Sequence, residues 1–155
     1  MARNSRYKNA RQKRDGGRFY QIPACVLEGA AYLNLSPHAR MLLFDLLAQY
    51  RGNNNGDLCA AWKLMQPRGW KSEETLHKAK LQLLEAGLTV ETRKGARPNK
   101  ASLYALTWYS LDECGGKLDI SVQGFPRGAY KLKDPAPILV RNTSLATVDA
   151  VGNAG

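Results

Sequence analysis

Histidine and cysteine are scarce in this chain of 155 residues: His38 and His77 are its only imidazoles, and Cys25, Cys59 and Cys114 its only thiols. The two histidines lie in different segments, which leaves little from which to build a metal centre or an imidazole acid–base pair. The cysteines are odd in number, widely spaced and form no C-x-x-C pair, so neither a disulfide framework nor a zinc site is indicated, and reduced thiols in a cytosol fit best. No apolar run approaches the roughly 20 residues of a membrane span, and the polar start lacks a signal peptide's apolar stretch, so a cytoplasmic protein without membrane contact is expected. Also missing are a glycine-rich phosphate loop, a Walker pattern, a nucleophile elbow and any metal-ligand spacing. The neighbouring carboxylates Asp112 and Glu113 point in different directions on most backbones and read as solvated. No catalytic residue, metal or cofactor is nominated, and the expectation is a protein that is not an enzyme.

Acidic residues are few as well. Asp and Glu total 13 against 23 Lys and Arg, a net charge of +10 that favours a polyanionic partner, nucleic acid being the commonest. The charge is concentrated. Residues 1–18 hold Arg3, Arg6, Lys8, Arg11, Lys13, Arg14 and Arg18 against Asp15 alone, six of the ten net charges. With almost no large apolar residue to offset the entropy of ordering, this segment reads as a flexible basic arm that an anion would hold. The length allows one further domain, expected over residues 19–110, and an irregular C-terminal extension over 111–155 whose small-residue end is expected to be disordered.

Within the domain, residues 24–33 read as one short helix. Ser36 and Pro37 are an N-cap and first helical position, because the hydroxyl accepts an orphan N–H and proline has none to waste. Ala39, Leu42, Leu43, Leu46, Leu47 and Tyr50 then recur at helical spacing as a buried stripe that Met41 and Phe44 widen. Asn54, Asn55 and Gly56 belong to the stop, residues 57–59 to a very short strand, and 60–66 to two helical turns with Ala60, Ala61, Leu64 and Met65 inward, ended by Pro67. Ser72 caps the next helix, with Glu73 and Glu74 suited to its positive end and Gly87 after it. Residues 88–93 and 103–109 alternate as strands, joined by a hairpin through 94–100. A further short strand is expected at 118–122. The fold class is therefore α+β, mainly helical, with a two- or three-stranded β-wing.

Helix, short strand, helix, tight turn, helix and two-stranded hairpin is the order of a winged helix-turn-helix, and residues 35–108 resemble winged-helix domains of bacterial regulators and of phage or plasmid replication proteins. The segments Phe19-Tyr20-Gln21-Ile22-Pro23, Leu35-Ser36-Pro37-His38-Ala39-Arg40, Asn54-Asn55-Gly56 and Leu84-Glu85-Ala86-Gly87-Leu88 look most like hypothetical proteins of bacterial mobile elements. The resemblance implies that residues 72–86 form a recognition helix for the major groove. On it Leu76, Ala79 and Leu83 are expected inward, and Thr75, Lys78, Gln82 and Glu85 outward, with Lys71, Ser72, Thr75 and Lys78 the first to meet DNA and Gln82 further along. Against this, Glu73 and Glu74 put negative charge where phosphates crowd, and the outward face also fits an ordinary solvated helix. In the hairpin Arg93, Lys94, Arg97 and Lys100 form a cationic tip uninterrupted by acid, suited to phosphates or a minor groove.

Double-stranded DNA is thus the expected partner, bound in transcription regulation or replication initiation. A homodimer would match a palindromic site, its interface drawn from residues 24–33 and from Met41 and Phe44 if these do not close the core. The alternative is an adaptor or inhibitor whose basic face docks on a protein or ribonucleoprotein, motivated by the acidic start of the recognition helix. Trp62, Trp70 and Trp108 are read as packing residues; base stacking would instead favour single strands or RNA.

Overall fold

Glycine 29 decides the first turn of the fold. In a computed structural model, which describes residues 13–135, the single helix expected over 24–33 is two: α1, Ala24–Glu28, and α2, Ala30–Leu33. Gly29 between them is extended (φ −76°, ψ 156°), and a Cβ there would stand 2.9 Å from the Cys25 carbonyl oxygen. The Ala30 N–H that this break orphans donates to Asp134 Oδ1 at 2.8 Å, 104 residues later in the chain. Val26 and Ala31 are buried, while Leu33 is 56 % exposed.

The next helix, α3 (Pro37–Leu47), is capped as expected, Ser36 Oγ accepting from the Ala39 N–H at 3.2 Å. Ala39, Leu42, Leu43, Leu46 and Leu47 are all buried, and the stripe packs chiefly against a later helix, α5 (Glu73–Glu85). Phe44 does not widen it: the ring is 45 % exposed, and the neighbouring position turned inward is Asp45. The loop after α3 is held by its asparagines, Asn54 accepting from the Arg51 N–H at 2.7 Å and donating to the Gln49 carbonyl at 2.9 Å.

Strand β1 is Leu58–Cys59, the short strand expected there. Helix α4 is shorter than expected, Trp62–Met65, because Pro67 tightens the next residues into a 3-10 turn, Gln66–Arg68, closed by Gly69 in the left-handed region (φ 100°). Ala60 and Met65 face the core, but Leu64 is 50 % exposed rather than inward. Ser72 caps α5, its Oγ accepting from Thr75 at 3.3 Å.

Strands β2 (Thr89–Arg93) and β3 (Leu103–Leu106) complete an antiparallel sheet of order β1-β3-β2, with Leu58 opposite Tyr104 and Thr89 opposite Leu106. A bulge between Glu91 and Arg93 breaks the expected alternation of β2. All four β3 residues are buried, because both faces of the sheet are covered. Tyr104 and Leu106 join the core beneath the helices, whereas Ala105 joins a second cluster with Leu111 and Phe125, against which Val90, Leu118 and Ile120 pack. Residues 118–122 supply this cover without forming the expected strand. The chain then returns to the main core: the Gly128 N–H donates to the Thr107 carbonyl at 2.8 Å, and Tyr130 is buried among the helices. The architecture is α+β, with five α-helices among the described residues, and none of these is long and apolar enough to cross a membrane.

Candidate nucleic-acid interface

The outward face of α5 differs from the one expected. Leu76, Ala79 and Leu83 are buried as anticipated, and at 3.6 residues per turn the side opposite them carries Glu74, His77, Lys78, Leu81 and Glu85, all exposed. Thr75 and Gln82, seven residues apart, lie on the flank and are half-buried. Gln82 is committed to structure: its Oε1 accepts from the Ser36 N–H at 3.0 Å, tying α5 to the start of α3. Ser72 is half-buried and its oxygen is engaged in the cap. Lys78 is exposed but paired with Glu74 at 2.8 Å, which holds the Glu74 carboxyl below its ordinary range through hydrogen bond and charge. Lys71, just ahead of the cap, is exposed. The outward face of α5 is therefore more acidic than basic.

The hairpin is different. Lys94, Arg97 and Lys100 are exposed, none forms an ion pair among the described residues, and a bridge between Ala96 and Lys100 closes the tip. Gly95 permits the closure, since a Cβ there would lie 2.8 Å from the Lys100 carbonyl oxygen. Arg93 does not belong to the exposed set: it is half-buried, donates to the Ala101 carbonyl at 2.9 Å, and has a buried Nε without a partner among the described residues. An acid also reaches the hairpin from elsewhere in the chain. Asp119 accepts the Lys94 N–H at 2.9 Å on Oδ2, while its own N–H donates to the Thr92 carbonyl at 2.8 Å. It clips the base of the hairpin to the C-terminal cover.

Of the arm, Arg3, Arg6, Lys8 and Arg11 lie outside the described residues; Lys13 and Arg14 are exposed, and the Arg14 guanidinium rests 3.8 Å over the Phe19 ring.

Three polar positions, of which the sequence singles out Asn55 only as part of a helix stop and Asp112 only as solvated, shape the surroundings. Asp45, 6 % exposed, accepts from the Trp70 indole N–H at 2.8 Å and from Arg68 Nε at 2.6 Å, fixing the turn before α5 from behind. Asn55 is fully buried and holds the loop before β1 to the end of β3, and Asp112, expected to be solvated, accepts the Asn55 N–H at 2.8 Å. A buried acid or amide among apolar neighbours in a helix or loop is the only sequence signal that such hubs leave. Trp70 and Trp108 are core residues and Trp62 packs partly buried against them. Among the described residues no three of His, Cys, Asp and Glu gather where a metal could bind. The chain matches no protein-family model, no curated protein and no solved structure.

Proposed function

We propose that this chain is a winged-helix protein that binds duplex DNA without catalysing a reaction, working in the cytoplasm of a bacterium or on its mobile elements in transcription or replication initiation. The element order supports the fold: α3, β1, α4, turn, α5, then β2 and β3 as the wing, with β1 paired to β3. The observation that carries the DNA reading is the hairpin, where Lys94 at the base and Arg97 and Lys100 at the tip are exposed and form no ion pair among the described residues, in a chain of net charge +10. Three free cations on a projecting turn neutralise phosphates and release their counterions, which gives affinity without demanding sequence. Base reading by α5 is secondary in this scheme, because Glu74 competes with phosphate for Lys78.

The test is fluorescence anisotropy of a random duplex titrated at several salt concentrations. Each phosphate contact contributes about −0.9 to the slope of log K against log salt, so a steep slope is expected, flattening by roughly three contacts when Lys94, Arg97 and Lys100 become glutamate. Unchanged binding in that variant overturns the wing-led mode. The acidic outward face of α5 favours one other reading, an adaptor whose α5 meets a basic protein or ribonucleoprotein surface; absence of duplex binding at low salt would select it.

A further inference from the structure

A second cationic surface lies away from the hairpin. Between the end of α3, the asparagine loop and the turn before α5 runs an open groove of about 560 Å³ whose walls carry Arg18, Arg51, Arg68, Asn53, Asp57 and Leu64. Its charge balance is positive. Asp57 is paired with Lys117 at 2.7 Å, and Asp45 behind Arg68 offsets one charge, which leaves Arg18 and Arg51 exposed and without ion pairs among the described residues. Arg68 is the prepared member. The buried Asp45 takes its Nε at 2.6 Å and is itself fixed by the Trp70 indole, so the guanidinium is held in place while no hydrogen bond engages either Nη among the described residues. A planar fork with two outward donors matches two oxygens of one phosphate. Arg18, whose Nη2 donates to the Tyr20 hydroxyl at 2.7 Å while that hydroxyl donates to the Ala48 carbonyl at 2.8 Å, is likewise tethered at the rim.

We propose that this groove binds a phosphodiester of the DNA backbone, with Arg68 as the oriented fork and Arg51 and Arg18 as the flanking cations. Nucleic acid is favoured over an acidic peptide because Lys13, Arg14 and Arg18 are all exposed on the segment that leads to the groove, a succession of cations suited to regularly repeated charge. The proposal takes its macromolecule from the duplex-binding reading above, and two measurements separate their failures.

The first is the salt-dependent duplex titration of the full chain with Arg51→Ala, and with Arg18→Ala and Arg51→Ala together; neither arginine pairs with a carboxylate among the described residues, so the fold is retained. Each lost contact reduces the slope by about 0.9 and weakens binding about eightfold at 0.1 M salt, equally for all sequences. The second follows the arginine Nε–H signals by NMR while the dinucleotide dTpT is added to the wild-type chain. Shifts at Arg51 and Arg68 are expected, with the Arg68 shift lost or much reduced in the double variant. A duplex titration unchanged by the double variant overturns the groove while leaving the hairpin reading intact. No duplex binding but a selective dTpT response upholds the groove and overturns duplex binding. A response to an acidic dipeptide as large as that to dTpT, or none to dTpT, overturns the proposal.

Discussion

Replacing Asn55 by alanine tests whether the fold depends on one buried amide. The side chain is fully buried and makes three hydrogen bonds: Nδ2 donates to the Leu106 and Ser110 carbonyls, each at 2.9 Å, and Oδ1 accepts the Leu106 N–H at 2.8 Å. Alanine removes all three and strands the donor of Leu106, itself fully buried at the end of the central strand. A buried polar group left unsatisfied costs about 1–3 kcal/mol, and a carbonyl with a second lone pair less, so the total should be about 3–5 kcal/mol. That is a large fraction of an unfolding free energy of about 5–15 kcal/mol. In urea, with a slope of about 1.5 kcal/mol/M, the midpoint should fall by about 2–3 M at unchanged slope. A loss below about 1 kcal/mol would refute the reasoning, because it would mean that water replaces the amide at no cost.

Asp45→Ala should cost about 1–3 kcal/mol, nearly all from the orphaned Trp70 indole, since Arg68 is half exposed and its pair adds little; Asp45→Asn should recover most of it in a thermal melt. Lys80 lies over Leu42, Leu46 and Tyr104, where burial lowers its pKa, so Lys80→Met should leave stability at pH 7 unchanged or raise it by less than about 1 kcal/mol, the ammonium being half in water. Burial, then the Cys25 thiol beside it, pushes the Tyr130 phenol up to about 12, above the value near 10 of an unfolded tyrosine. The unfolded chain thus loses this proton first, and stability should fall as pH rises from about 10 to about 12; the corresponding step in a spectrophotometric titration should vanish in Tyr130→Phe.

Local signals were read from the sequence where they act locally. The caps at Ser36 and Ser72, the stripe of α3 and the strand at Leu58–Cys59 each depend on residues within a few positions of one another. Misplaced features involve a partner far along the chain. Gln82 is expected outward with Thr75 and Lys78, but helical spacing leaves it on the flank, where a bare N–H at Ser36, 46 residues earlier, draws it in. Gly29 divides a helix whose apolar pattern is continuous, since its break is completed by Asp134. Phe44 and Asp45 exchange the places hydropathy assigns them because Trp70 and Arg68 give the carboxylate its partners. The cationic hairpin was legible as composition, whereas the acid that clips its base, Asp119, is 25 residues from Lys94.

The covered sheet has a consequence for the order in which this chain can be built. During synthesis β2 and β3 emerge well before residues 111–130, so a ribosome-bound chain that has just exposed Leu106 holds Val90 and Ala105 bare on one face. The helical face can close at once around Tyr104 and Leu106, but the other waits for Leu111, Leu118, Ile120 and Phe125, and the break before α2 waits for Asp134. Folding of this unit is therefore completed only once Asp134 has emerged, and an arrested chain ending between β3 and Phe125 offers an uncovered apolar sheet to chaperones and to aggregation.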